Sequence, residues 1–202
     1  MDSVGIDVAR GGRDSTVIFR RHGQWFDEPL VYTGAQTPDG PTVAGLAVSA
    51  ARDGAPLHID VIGVGASPYD FLNNARQHVV GVNVAEKSLG LDASGRLRFA
   101  NLRSELWWRA REALDPAANT GIAIPPDPRL RADLCAPTWA LQGPSIKVES
   151  RDEIVDRIGR SPDFASAFCL ALIDTPKIEH VHSIIRGARD FKRREYDPYK
   201  RL

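Results

Sequence analysis

The chain opens on an apolar run, Val4-Gly5-Ile6, that has no helical periodicity and ends in a charge at Asp7, so residues 3–9 predict a strand. The Gly11-Gly12 pair follows, and residues 15–20 have the β-branched and aromatic content of a second strand. So short a glycine turn implies an antiparallel hairpin. Residues 24–32 predict a third strand, with Trp25, Phe26, Leu30 and Val31 as its apolar members. From Pro41 the pattern changes, and Val43, Ala44, Ala47, Val48 and Ala51 share one face of a helix. A strand ending near Ile62, a glycine-rich loop and a helix over 67–77 come next. Residues 79–84 are a continuous valine-rich run, suited to a strand covered on both faces.

The second half begins with a loop-like stretch over 86–97 and a strong helix over 101–114. Shorter elements lead up to Val148, and two helices close the pattern at 152–158 and 161–173. The proline-rich residues 123–128 read as a turn inside the domain rather than a linker. Three strands in a meander, then helix–strand–helix–strand–helix, suit an α/β mixed sheet with antiparallel and parallel strands and helices on both faces. That is the order of the ribonuclease H-like fold. The expected organisation is one such domain over 1–184 and a basic C-terminal tail over 185–202.

Composition narrows the classes. The chain has 202 residues and 43% hydrophobic content, enough for one domain with a real core. No apolar stretch approaches the roughly eighteen residues of a membrane span, and no basic-then-apolar leader opens the chain. A soluble, unexported protein is expected. The two cysteines, Cys135 and Cys169, lack zinc-site spacing and read as reduced core residues. Net charge is zero, which argues against a generally basic nucleic-acid coat. The tail is locally basic, with Arg186, Arg189, Lys192, Arg193, Arg194, Lys200 and Arg201. It is either a phosphate-contacting surface or a solvated end.

Three aspartates carry the chemistry. Asp7 and Asp60 each sit toward the end of an apolar strand-like run, and Asp163 is the sole charge of a helix apolar all round. Singly, each reads first as a turn or cap residue, and Ser161 and Pro162 supply a cap and first turn for the last helix. Together they differ. In the proposed order the strands of Asp7 and Asp60 are neighbours, and the last helix crosses them. Desolvated carboxylates repel, so gathering them calls for a cation. Oxygen-only ligands favour Mg²⁺ or Mn²⁺, and two such ions about 4 Å apart activate water and stabilise the leaving oxygen of a phosphodiester. Asp14, just past the glycine turn, either joins the metal site or holds the hairpin.

The run from Gly5 to Thr16, Gly-Ile-Asp-Val-Ala-Arg-Gly-Gly-Arg-Asp-Ser-Thr, resembles the first nuclease motif of tailed-bacteriophage large terminase subunits. Ile59-Asp60-Val61-Ile62-Gly63-Val64-Gly65 resembles the second, and Ser161-Pro162-Asp163 the third. Asn101-Leu102-Arg103-Ser104-Glu105-Leu106-Trp107-Trp108 is similar to an Asn-x-Arg-x-Glu-x-Trp-Trp helix of that family. The resemblance implies that Asp7, Asp60 and Asp163 are the metal ligands of an endonuclease cutting concatemeric viral DNA during packaging in the host cytoplasm. It also implies a packaging ATPase domain, a portal protein and a small terminase subunit as partners of the double-stranded DNA machinery. No Gly-x-x-x-x-Gly-Lys-Ser/Thr loop occurs here, so the resemblance covers the C-terminal nuclease domain alone, and the expectation is that domain excised with an added Met1.

Around the acids, Lys147 and Arg160 are candidate DNA contacts, as are Arg193 and Arg194 of the tail. Lys147 reads first as an exposed strand lysine, and Arg160 equally as the partner of a carboxylate. Trp107 and Trp108 read first as core, and His58 as a structural histidine on the strand face of Asp60. Two other functions fit the same pattern: a junction resolvase of this fold, and a non-catalytic DNA-docking module.

Overall fold

The computed structural model describes residues 1–9 and 14–177. The Gly11-Gly12 turn and the tail with Arg193 and Arg194 lie outside the described residues. Among those described, the first half contributes β1 (Ser3–Asp7), β2 (Ser15–His22), β3 (Trp25–Phe26), β4 (Leu30–Thr33) and α1 (Gly40–Ala50). It continues with β5 (Leu57–Asp60), α2 (Ala66–Asn74) and β6 (Val79–Val82). The second half adds β7 (Arg98–Phe99), α3 (Leu102–Ala113), α4 (Pro128–Leu134), β8 (Trp139–Gln142) and β9 (Ser145–Val148). Two helices, α5 (Arg151–Ile158) and α6 (Asp163–Ala171), complete the order.

The main sheet runs β3-β2-β1-β5-β6, with β4 also on β2. Strand β1 pairs antiparallel with β2 and parallel with β5. Alternation along the strands divides the core in two. Val4, Ile6, Ile18 and Ile59 point toward Val43 and Ala47 of α1 and Leu72 of α2. Val17 and Phe19 point the other way, toward Phe168 and its neighbours on α6. The Phe168 ring meets Phe19 edge-on at 6.0 Å and Phe26 at 4.6 Å.

Helix α6 lies directly on β1. A Cβ placed on Gly5 would come within 2.1 Å of the Ala167 carbonyl oxygen and 2.3 Å of the Ala171 amide. Only a residue without a side chain allows that approach. The far end of the helix is held by His58, which is buried and shares hydrogen bonds with Ser3 Oγ at 3.0 Å and Thr175 Oγ1 at 2.8 Å. Burial, followed by the charge of Arg21, pulls the His58 pKa down to about 4.

Four expectations change. The strand expected over 24–32 is broken between β3 and β4, where Pro29 cannot donate to a ladder. The valine-rich β6 is the edge strand of the sheet, with Val82 buried and Gly81 exposed. Cys135 is exposed at the end of α4, whereas Cys169 is buried as expected. Ser161 does not cap α6. The buried Asp133 of α4 does so instead, accepting from the Phe164 amide at 3.0 Å. No helix among the described residues is long and apolar enough to cross a membrane.

Two outcomes follow from this packing. Gly5→Ala should cost about 1–3 kcal/mol by forcing α6 off the sheet, measured by urea unfolding. His58 has a folded pKa below its unfolded value, so its stability contribution is present above pH 6.5 and is lost as pH falls toward about 4. That loss amounts to about 3 kcal/mol. His58→Gln should therefore flatten the stability-versus-pH curve across this window, and an unchanged slope would remove His58 as its cause.

Candidate metal centre

Asp7 is the last residue of β1 and Asp60 the last of β5, and the parallel register aligns Ile6 with Ile59 just before them. The two carboxylates therefore stand side by side at the C-terminal edge of adjacent parallel strands, where sheets of this kind bind ligands. Both line one cavity of about 600 Å³. The chain after Asp60 turns back sharply through Gly63–Gly65, and a Cβ on Gly65 would meet the Asp60 carbonyl oxygen at 1.9 Å. That turn lets the Ile62 amide donate to Asp60 Oδ1 at 3.0 Å.

Asp163 begins α6 and is buried. Its Oδ2 accepts the Ser15 amide at 3.1 Å, which ties the helix to the start of β2. Asp163 faces a separate cavity of about 430 Å³ together with Asp14 and Arg160. Among the described residues no group of three Asp, Glu, His or Cys side chains is arranged to hold a metal ion. The structure thus brings Asp7 and Asp60 together and leaves Asp163 within electrostatic range of Asp7.

The electrostatics show that coupling. Burial and then the charge of Asp163 push the Asp7 carboxyl well above the usual carboxylate range, with Asp60 adding to the effect. Burial also raises Asp60 and Asp163. No hydrogen bond or ion pair reaches the Asp7 carboxylate among the described residues. An unbonded carboxylate beside a second one, each raised in proton affinity, suits a hard divalent cation. Asp7 and Asp60 fit such an ion, and Asp163 acts on Asp7 through its charge.

Two cations face these acids, Arg103 from α3 and Arg151 from α5. Arg151 donates from Nε to Ser161 Oγ at 2.9 Å and pairs through Nη2 with Asp14 at 2.8 Å. That pairing holds Asp14 at the rim of the site. The signal for Arg151 in the sequence was weak, because it lies in an ordinary charged helix start behind the Ser150 capping box. Lys147 sits on β9 between the buried Ile146 and Val148, so it faces away from the core and does not line the cavity of Asp7 and Asp60. Arg160 pairs with the buried Asp133. Trp107 is buried in the core, and Trp108 packs edge-on against Trp139 at 4.8 Å.

The strand order is that of the ribonuclease H-like fold. The chain is similar to the nuclease domain of the large terminase subunit gp2 of bacterial virus Sf6, at 18% identity and a TM-score of 0.62 over 86% of this chain and 88% of that one. A mutant of the same domain, described with manganese and beta-thujaplicinol, gives a TM-score of 0.64 at 17% identity over the same shares. The large terminase nuclease from thermophilic phage G20c with bound magnesium gives 0.53 at 16% identity, over 84% of this chain and 78% of that chain. These likenesses establish the fold. No protein-family model matches the chain, and no curated protein matches it.

A carboxyl raised in the folded state binds its proton more tightly there than in the unfolded chain, so its contribution falls as pH rises from 3.8 through the folded value. The cost of keeping Asp7 in this desolvated acidic setting thus grows as pH rises above 3.8. Asp7→Asn is therefore expected to raise Tm in EDTA at pH 8 by at least about 2 °C, with little gain near pH 4. A lower Tm at pH 8 would contradict the strained carboxylate.

Proposed function

We propose that this chain is a divalent-metal-dependent endodeoxyribonuclease that cuts concatemeric viral DNA during genome packaging. The observation that carries the reading is the placement of Asp7 and Asp60 at the ends of adjacent parallel strands, under a helix whose first residue is Asp163. The solved nuclease domains of the same fold, with manganese or magnesium, support it. In this reading Asp7, Asp60 and Asp163 hold one or two Mg²⁺ or Mn²⁺ ions, with Asp14 as a further candidate ligand. The bound metal would supply an activated water and stabilisation of the leaving 3′ oxygen.

The chain's own residues do the rest. Asp7 and Asp60 present oxygen donors on rigid strands, so the attacking and leaving groups are aligned rather than gathered by chance. The apolar wall of Leu106, Trp107 and Leu170 lowers the local dielectric and strengthens each charge interaction. Contacts to DNA go to phosphates, from arginines around the cavity and from Arg160, Arg193 and Arg194, so binding weakens steeply with salt. Partners in this reading are double-stranded DNA, a packaging ATPase domain, a portal protein and a small terminase subunit, in the host cytoplasm.

A supercoiled-plasmid assay with Mg²⁺, Mn²⁺, Ca²⁺ and chelator tests the proposal. Cleavage is expected in Mg²⁺ or Mn²⁺ and not in chelator. Asp7→Ala, Asp60→Ala and Asp163→Ala should each lower the rate at least about 100-fold while the circular dichroism spectrum is retained. Full cleavage by purified Asp60→Ala protein would remove that residue from the mechanism.

A further inference from the structure

Two guanidiniums line the cavity of Asp7 and Asp60, and they differ in how their donors are met. Arg151 is bonded to Ser161 and Asp14. Arg103 donates from Nε to the Glu149 backbone carbonyl at 3.0 Å, and its carbon lies 5.2 Å from the centroid of the Trp107 ring. Its Nη2 is buried and has no hydrogen-bond partner among the described residues. No ion pair to a carboxylate holds Arg103 among the described residues. Burying a guanidinium without a paired anion is costly. Burial does act on it, drawing its pKa below the usual arginine value, while Asp7 and Asp60 oppose that shift.

The position adds a second cost. Asn101 caps α3 by accepting the Ser104 amide at 2.9 Å, so Arg103 lies in the first turn, at the positive end of the helix dipole. A cation there is opposed by its own helix. The first amides of α3 are already engaged, Leu102 N with the Glu86 carbonyl and Arg103 N with the Val84 carbonyl, both at 2.8 Å. The free donor at this helix end is the guanidinium. A side chain kept there against both burial and the dipole matches an anion that arrives from outside the chain.

We infer that Arg103 is a phosphate-binding residue, donating its planar fork to the non-bridging oxygens of the phosphodiester held at Asp7 and Asp60. The inference rests on the nuclease reading and extends it to a named substrate contact. Arginine suits the task because its fork matches two oxygens at once and its proton is never released. It supplies charge and orientation, and it neither donates nor accepts a proton in the cleavage step. The Nε bond to Glu149 and the Trp107 ring fix the plane of the fork in advance.

Arg103→Gln and Arg103→Lys in the full chain test this. The readouts are anisotropy of a labelled duplex in Ca²⁺ across a KCl series, Ca²⁺ affinity by calorimetry, and single-turnover cleavage in Mg²⁺ or Mn²⁺. Arg103→Gln should weaken duplex binding about tenfold and make the salt slope shallower by about one, with cleavage down about 100-fold. Ca²⁺ affinity should stay the same or tighten, since a positive charge has left the site. Arg103→Lys keeps the charge and loses the fork, so it should keep the salt slope and lose at least about tenfold in cleavage. Weaker Ca²⁺ binding in a folded Arg103→Gln protein would overturn the inference, because it would assign Arg103 to holding the acids. An unchanged salt slope and rate would also overturn it. If Arg103→Gln does not fold, wild-type cleavage rates in Arg103→Lys protein overturn it. A wild-type protein that never cuts DNA overturns the nuclease reading itself.

Discussion

The contact between α6 and β1 across Gly5 is the constraint on which the site depends. A helix normally stands about 10 Å from a sheet because side chains fill the gap. Here the strand offers no side chain at Gly5, and the backbone around Ala167 and Ala171 settles onto it. The helix then runs one further turn to Asp163, above the strand end that carries Asp7. Phe168, wedged against Phe19 and Phe26, sets the rotation of that helix. His58 and Thr175 hold its other end to Ser3 and β5. Apolar packing fixes where a charge stands.

That packing creates an electrostatic conflict the fold does not resolve by itself. Asp7, Asp60 and Asp163 are each raised in proton affinity by burial, and Asp7 further by its acidic neighbours. Local hydrogen bonds satisfy two of them, through the Ile62 and Ser15 amides. Around them, Arg151 is pinned between two partners and Arg103 is held in plane with a donor unused. Beside the ion-paired Arg151, Asp7 and Arg103 have no ion pair among the described residues, an arrangement that suits a ligand more than it suits stability.

Much of the arrangement was legible in the residue pattern. The apolar run before Asp7, the β-branched content of residues 15–20, the helical spacing from Val43 to Ala51 and the apolar last helix are local signals, because each element must bury its own face. They gave the sheet order, and with it the adjacency of Asp7 and Asp60. Other features failed because their causes are distant in sequence. The cap of α6 comes from Asp133 on another helix rather than from the neighbouring Ser161. The edge position of β6 among the described strands is set by the sheet order. Lys147 alternates with buried Ile146 and Val148, yet which face meets the acids depended on the second sheet.

Sequence alone therefore determined the elements, their order and the acids that end two of them, since periodicity and strand propensity act over a few residues. Only the tertiary structure decided which cations face those acids. Arg103 and Arg151 come from separate helices, and their position depends on packing between elements 40 or more residues apart in the chain. A guanidinium with an unmet donor has no signature in a one-dimensional pattern, because a missing partner is a property of space.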